Sequence, residues 1–249
     1  MANPISSPNA VNRVNRVNRV NRVNKVFLPL AGQLVVLRSI EATRDLPDVS
    51  ERVLVVAERD MAAAETLFTT GLPSDVRLVR GGSSRHQSEH NAFEELGLQI
   101  EDGDIDIVVI HDAARPLALP GLFSDVIQAA RGYGGALPVR PAPPLAALTR
   151  TDVLEGETDV VTVQTPQAFQ ARPLLEAYRA AALVGFVGTD TASCIERFTD
   201  IRIKGVRGDD ANIKLTYAED LLLAERLLAD AGRAESAFGQ SRVGNQAHG

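Results

Sequence analysis

The chain has 249 residues, 45% of them hydrophobic, so it can bury a sizeable core in one or two domains. Its net charge of -6 excludes the broad positive field that attracts nucleic acids and anionic membranes, and its single cysteine, Cys194, excludes an internal disulfide framework. No apolar run approaches the roughly 18 residues of a membrane span and no signal pattern opens the chain, so we expect a cytoplasmic protein.

Residues 1–24 form a low-complexity arm, in which Val-Asn-Arg occurs four times before Val-Asn-Lys. A period of three matches neither the strand repeat of two nor the helix repeat of 3.6. We predict a solvated tail, although its arginines could instead fold over a polyphosphate.

Strands and helices alternate from residue 27 onward, which predicts an α/β fold with a mostly parallel sheet and helices on both faces. The predicted strands are 53–57, 76–79, 105–110, 136–139, 160–163 and 201–206. The predicted helices include 34–42, 59–69, 122–131, 173–183 and 216–228. Thr216 and Glu219 have the spacing of a capping box for the last helix. We predict one domain over residues 25–232, followed by a polar tail over 233–249.

The segment IDIVVIHDAARP, residues 105–116, is the first candidate for a site. Its apolar half is typical of a strand buried on both faces, and Asp112 and Arg115 follow directly. Ligands collect beyond the carboxyl ends of strands in open α/β sheets, so both residues are site candidates. The alternative is that Asp112 and Arg115 pair with each other and close a loop.

The segment GGSSRHQSEH, residues 81–90, is the second candidate. Two glycines allow the backbone to approach a ligand closely, and the N-terminus of the following helix favours anions. Ser88 could cap that helix or contact a base or sugar. His86 and His90 have a spacing that can bind a metal on a helix, but no third ligand is nearby, so we do not predict a metal site there.

Five motifs occur in the order and spacing that are typical of one enzyme family: GGSSRxxS, HDAARP, QTPQAF, TDTAS and NIKLTxAEDL. From about Lys25 to Leu228 the chain resembles the 2-C-methyl-D-erythritol 4-phosphate cytidylyltransferases. The resemblance implies a Rossmann-like nucleotidyltransferase fold with an arm at about residues 137–160 that holds a homodimer. It also implies that the ligands are CTP, Mg²⁺ and a sugar-alcohol phosphate, and that the products are a cytidine diphosphate ester and pyrophosphate.

The same resemblance assigns roles to individual residues. Lys25 and Lys214 would be catalytic, with Lys25 on the α-phosphate, and Asp112 would hold Mg²⁺. The remaining assignments are Gly82, Ser83 and Ser88 for the cytidine, and Arg115, Thr189 and Lys214 for the sugar phosphate.

Three segments depart from the family pattern. The Val-Asn-Arg array stands where the family has a glycine-rich AAGxGxR loop, residues 141–148 lack the family's DTxK, and Glu157 stands near an expected arginine. A glycine-rich loop can wrap a phosphate, whereas the array cannot readily do so. These departures motivate the alternative hypothesis, which is a catalytically inactive relative that acts as a binding or regulatory partner.

Overall fold

The computed structural model describes residues 24–70, 75–142, 147–148, 153–154, 161–188 and 190–244. Most of the Val-Asn-Arg array, Glu157 and Thr189 lie outside these residues, as do residues 143–146, half of the segment that replaces DTxK. Within the described residues, no helix combines the length and the apolar character that crossing a bilayer requires.

The described residues form strands and helices that alternate along most of the chain. The strands are β1 (Pro29–Leu30), β2 (Gln33–Leu34), β3 (Arg52–Val56), β4 (Val76–Arg80), β5 (Ile107–Ile110), β6 (Gly134–Pro141), β7 (Ala147–Leu148), β8 (Val153–Leu154), β9 (Val161–Val163), β10 (Gln167–Gln170) and β11 (Arg202–Arg207). The α-helices are α1 (Val35–Glu41), α2 (Met61–Thr70), α3 (Arg85–Glu95), α4 (Gly97–Asp102), α5 (Pro120–Tyr133), α6 (Ala171–Leu183), α7 (Thr191–Phe198) and α8 (Glu219–Gly244). Each predicted strand and helix therefore has a counterpart.

The principal sheet has the order β11-β6-β10-β5, and β9 also pairs with β6. β11 is parallel to β6, whereas β10 is antiparallel to both of its neighbours and β9 is antiparallel to β6. The prediction of a mostly parallel sheet is therefore wrong for the principal sheet, which is mixed. The chain passes from β9 to β10 through residues 164–166 without a crossover helix, so both strands run the same way along β6.

Helices cover both faces of this sheet, as predicted. Val108 and Phe169 pack against α3, α6 and α7 on one face, in a cluster that includes Phe93, Tyr178 and Ile195. The neighbouring positions of the same strands, among them Val109 and Ala168, pack against α5 on the other face. Alternate residues of β5 and β10 thus pack into two separate hydrophobic cores, one on each face of the sheet.

The last helix differs from its prediction at both ends. α8 continues to Gly244, so the polar tail predicted from residue 233 is helical over most of its length. The predicted capping box is also absent from the described contacts of Thr216 and Glu219. The carboxylate of Asp220 instead accepts the backbone N–H groups of Thr216 and Tyr217, at 2.6 and 2.7 Å. A capping box and this turn use the same residue types, so sequence alone did not distinguish them.

Candidate active site

Asp112 lies just beyond the carboxyl end of β5, where three cationic side chains surround it. Lys214 Nζ is 2.7 Å from Asp112 Oδ2, Arg85 Nη1 is 3.7 Å from Oδ1, and Arg115 Nε is 3.9 Å from Oδ2. Burial opposes ionisation of the carboxyl group, but the Lys214 hydrogen bond and the three positive charges outweigh it, so the pKa of Asp112 lies below its ordinary value. Arg85 also pairs with Glu89, so these three cations and two carboxylates leave one net positive charge, which suits a polyanion.

Lys25 adds a fourth cation to this region. Its Nζ donates a hydrogen bond to the carbonyl oxygen of Thr216 at 3.3 Å, only two residues from Lys214. Residues from the two ends of the described chain therefore meet beside Asp112. Asp112 and Arg115 do close a turn, because the Arg115 N–H donates to the Asp112 carbonyl at 2.8 Å. They do not pair only with each other, because Arg115 Nη1 donates to the Asn212 carbonyl at 2.7 Å and Lys214 is the closer partner of Asp112.

The loop before α3 borders the same region. Ser84 caps α3 by accepting the Gln87 N–H at 3.1 Å, so the N-cap is Ser84 and not Ser88. Ser88 Oγ instead accepts the Gly82 N–H at 3.1 Å and donates to the Ser84 carbonyl at 2.8 Å. A Cβ at Gly82 would collide with the Gln87 side chain, which explains glycine there. Ser83 is exposed at the tip of the loop.

His111 stabilises the turn that carries Asp112. Its Nε2 lies 3.2 Å from the Arg115 carbonyl, which can only accept, so Nε2 carries the proton. Its Nδ1 then accepts from Thr165 Oγ1 at 3.2 Å, and the same oxygen accepts the Asp112 N–H at 3.0 Å. Desolvation of the ring lowers the pKa of His111 to about 4. The site therefore contains a neutral imidazole as a structural support.

The burial of His111 predicts that the protein loses stability in mild acid. The ring ionises near pH 6.5 in the unfolded chain and near 4 in the folded one, so the unfolded state binds more protons between these values, and stability falls as pH falls. From about pH 7.5 to about pH 5 we expect a loss of about 2 kcal/mol from this group in urea unfolding. His111→Gln should remove this part of the pH dependence. His90→Gln is the control, and an equal effect of both substitutions would contradict the assignment.

The segment that carries Lys214 is held by buried polar groups. Leu215 N–H donates to the Ala114 carbonyl at 2.8 Å, and Asn212 Nδ2 donates to the Thr165 carbonyl at 2.9 Å. Gln164 Nε2 donates to the Asn212 carbonyl at 3.1 Å. The QTPQAF motif thus joins the Asp112 turn to the Lys214 segment.

A buried carboxylate anchors Arg85. Glu89 Oε1 accepts Arg85 Nε at 2.7 Å, while its Oε2 accepts the hydroxyls of Tyr178 and Thr191. Desolvation and the neighbouring Glu89 charge raise the pKa of Tyr178, so its hydroxyl stays protonated and donates. His86 stacks on Tyr178 with ring centroids 4.5 Å apart. The network fixes Arg85 at the site, a role that the motif pattern alone did not reveal.

Comparison with known proteins shows to which family the chain belongs. The profile of the IspD family, 2-C-methyl-D-erythritol 4-phosphate cytidylyltransferase, matches residues 13–230. Proteins of that name from Symbiobacterium thermophilum and Geobacillus kaustophilus are 36% and 35% identical over 211 and 207 residues, which is 83% and 82% of this chain and 86% and 88% of theirs.

The chain belongs to the 2-C-methyl-D-erythritol 4-phosphate cytidylyltransferase family.

Solved structures agree with this assignment. The cytidylyltransferase of that name from Thermus thermophilus aligns with a TM-score of 0.64 at 27% identity, covering 82% of this chain and 94% of that one. A synthase structure from Anaerococcus prevotii aligns with a TM-score of 0.71 at 24% identity, over 81% of this chain and 88% of that one. These similarities confirm the Rossmann-like nucleotidyltransferase fold.

Most residues that the cytidylyltransferase resemblance selected lie in one region. Lys25, Asp112, Arg115 and Lys214 converge through the contacts given above, and Gly82 lies in the neighbouring loop. Thr189 lies outside the described residues. Arg85 and Glu89 were missed, although their i,i+4 spacing at the start of a helix is a signal that could have linked them.

Proposed function

We propose that this protein transfers the cytidylyl group of CTP to 2-C-methyl-D-erythritol 4-phosphate, or to a related sugar-alcohol phosphate, and releases pyrophosphate for isoprenoid precursor synthesis. The observation that carries the proposal is the surplus of cations around Asp112, since a triphosphate and a phosphate monoester together need several positive partners. Membership of the cytidylyltransferase family supports the choice of substrates.

The reaction needs alignment and charge more than proton transfer. A phosphate monoester is largely a dianion at pH 7, because its second pKa is about 6, so its oxygen attacks the α-phosphorus of CTP without a general base. A new P–O bond forms as the bond between the α-phosphorus and the bridging oxygen breaks, and pyrophosphate leaves with that electron pair. We assign Lys25 to the α-phosphate oxygens and Lys214 and Arg115 to the acceptor phosphate, where they offset the developing charge.

Asp112 is the residue that would hold Mg²⁺. The described residues contain no group of three histidine, cysteine or acidic side chains that could cage a metal. A single carboxylate nevertheless fits an ion that takes most of its ligands from triphosphate oxygens and water. When bound, Mg²⁺ supplies charge neutralisation on the triphosphate. Gly82, Ser83 and the Ser88 region border the space where we place the cytidine.

Substitution of Lys214 tests this function directly. Lys214→Gln should lower kcat/KM for pyrophosphate release from CTP, Mg²⁺ and the acceptor by about 10²–10³-fold, which is typical for loss of a charged transition-state partner. Lys204→Gln is the matched control, because Lys204 lies on β11 and contacts the Tyr133 ring instead. Equal rates for both variants would contradict the assignment. No pyrophosphate release by the unmodified protein with any sugar-alcohol phosphate would favour the inactive alternative.

We also propose that the protein is a cytoplasmic homodimer that uses its arm for association. β6 extends to Pro141 and the chain returns through β9, where Val161 and Val163 are 44% and 48% exposed. Apolar β-branched side chains on an exposed strand suit contact with a second copy. The buried, free Cys194 is compatible with a reducing compartment. Sedimentation equilibrium tests the dimer, and a monomer at all concentrations would contradict it.

A further inference from the structure

Arg85 is a cation of the site to which the reaction given above assigns no role. It is the first residue of α3, where the positive end of the helix dipole disfavours a cation, so its position does not stabilise the helix. Its side chain is 40% exposed, whereas those of Asp112 and Arg115 beside it are 20% and 12% exposed. Of the two arginines next to Asp112, Arg85 is therefore the more accessible to a ligand that enters the site.

The guanidinium of Arg85 keeps donors available for such a ligand. Arginine has several N–H donors, and the one on Nε is used by Glu89 Oε1 at 2.7 Å. Nη1 lies 3.7 Å from Asp112 Oδ1, which is beyond hydrogen-bond distance. Within the described part of the chain, neither Nη group of Arg85 donates a hydrogen bond. The N–H groups on Nη1 and Nη2 thus form a planar fork beside the carboxylate.

Arg85 approaches Asp112 at a different oxygen from the cations that we assign to the acceptor phosphate. Lys214 Nζ and Arg115 Nε both approach Oδ2, whereas Arg85 Nη1 approaches Oδ1. Arg85 also follows the loop of Gly82, which borders the space where we place the cytidine. The Asp112 carboxylate therefore lies between two groups of cations, and Arg85 belongs to the nucleotide half of the site.

Glu89 holds the Arg85 fork in a fixed direction. Its side chain is only 10% exposed, and it accepts hydrogen bonds from Arg85 Nε and from the hydroxyls of Tyr178 on α6 and Thr191 on α7. Because Tyr178 and Thr191 belong to two other helices, the carboxylate cannot turn without breaking contacts to both. A hydrogen bond from Nε to a fixed acceptor restricts rotation of the whole guanidinium, whose plane is rigid. Glu89 therefore orients Arg85 from a buried position.

We propose that Arg85 is a further nucleotide-binding residue, whose Nη groups donate to the β- and γ-phosphate oxygens of CTP, and that Glu89 is the residue that positions it. A guanidinium fork matches two phosphate oxygens, and charge-assisted hydrogen bonds are roughly twice as strong as neutral ones. The terminal phosphates are the natural partners, because Lys25 is assigned to the α-phosphate and Arg85 lies next to the carboxylate assigned to Mg²⁺ on the triphosphate. This role rests on the proposed cytidylyl transfer for the identity of the nucleotide.

Calorimetric titration with Mg²⁺ and two nucleotides, CTP and CMP, tests the role of Arg85. Arg85→Gln should weaken CTP binding by about 10–100-fold, the range expected for loss of hydrogen bonds to a charged group. CMP binding should change by less than about twofold, because CMP lacks the β- and γ-phosphates. Equal weakening of both nucleotides would indicate a structural role, and unchanged CTP affinity would indicate no role in binding. Either result would overturn the proposal.

Two further variants keep this experiment interpretable. Arg179→Gln is the matched control, because Arg179 is 41% exposed, pairs with Glu94 near the other end of α3, and should leave CTP affinity within about twofold. Arg85→Lys keeps a charge beside Glu89 and so protects the fold, but a single ammonium group cannot bind Glu89 and two phosphate oxygens together. We expect it to weaken CTP binding at least about threefold. Full CTP affinity of Arg85→Lys would contradict the proposal.

Glu89→Gln tests the positioning role. It should weaken CTP binding and leave CMP binding nearly unchanged, because it misdirects the Arg85 fork without removing any group that contacts the nucleotide. The loss should disappear when Arg85 is already glutamine, since Glu89 acts through Arg85. Additive losses in the double variant, or equal losses for CTP and CMP, would show that Glu89 does not position Arg85.

Pyrophosphate release separates the Arg85 assignment from the proposed transfer. If Arg85→Gln releases pyrophosphate with the same kcat and the same KM for CTP as the unmodified protein, the Arg85 assignment fails and the transfer stands. If the unmodified protein releases no pyrophosphate, but Arg85→Gln still weakens CTP binding selectively, the transfer fails and the Arg85 assignment stands.

Discussion

Replacing Asp112 with Asn should lower kcat/KM for cytidylyl transfer by about 10³-fold or more, a loss of roughly 4 kcal/mol of transition-state stabilisation. The substitution preserves shape but removes the carboxylate that we assign to Mg²⁺. It also leaves Lys214, Arg85 and Arg115 without their shared counterion. Metal-free CTP should therefore bind at least as tightly as before, while the enhancement of CTP binding by Mg²⁺ should disappear. Calorimetric titrations with and without Mg²⁺ measure both effects.

The control for this substitution is Asp106→Asn. Asp106 lies just before the same strand, at its opposite end, and pairs with Arg131 at 2.9 Å. That pair is exposed, so the control should keep nearly full activity. If Asp112→Asn retains activity within about threefold of the unmodified protein, or if Mg²⁺ still strengthens its CTP binding, Asp112 does not hold the metal.

Replacing Glu89 with Gln should destabilise the protein by about 2 kcal/mol, because the buried carboxylate that accepts Arg85, Tyr178 and Thr191 is replaced by an amide that cannot accept all three equally well. Glu89 is buried and joins Arg85, Tyr178 and Thr191 through one carboxylate. Urea unfolding at neutral pH measures the change. We also expect slower cytidylyl transfer, since Arg85 is then free to turn further onto Asp112 and compete with bound Mg²⁺ and substrate.

Glu94→Gln provides a matched comparison on the same helix. Glu94 pairs with Arg179 at 2.8 Å, but both side chains are about two-fifths exposed, so the loss should stay below about 1 kcal/mol. Equal losses for the two variants would show that the buried network contributes no more than a surface pair does. A large loss for Glu89→Gln without any change in transfer would separate its structural role from its effect on Arg85.

Some residues of the site could be predicted from sequence motifs, and others could not. Asp112 and Arg115 were expected beyond a strand end because the apolar run stops abruptly before them, and that expectation is confirmed. The resemblance of the chain to the cytidylyltransferase family then added Lys25 and Lys214. These two lysines are far apart along the chain, so local sequence patterns do not show that they lie close together in space. Glu89 and Tyr178 escaped notice, since a glutamate and a tyrosine 89 residues apart carry no local pattern.

Some strands of the fold could likewise be predicted from the sequence, and others could not. Strands such as β3 and β5 are readable from runs of valine, leucine and isoleucine. β10 was not, because the segment QAFQ is short and polar at both ends, and it becomes a strand only through pairing with β5 and β6. Its antiparallel direction likewise follows from the connection to β9, which sequence periodicity does not encode.

The sequence by itself determined the family, the alternation of strands and helices, and the carboxylate and cations of the site, since these depend on residue type and local spacing. Only the tertiary structure decided that β10 runs antiparallel to β5 and β6, how a buried glutamate holds Arg85, and that Ser84 caps α3 while Ser88 binds the Gly82 N–H. Those properties arise from contacts between residues that are distant along the chain, and the energy of such contacts depends on burial and geometry that local patterns do not contain.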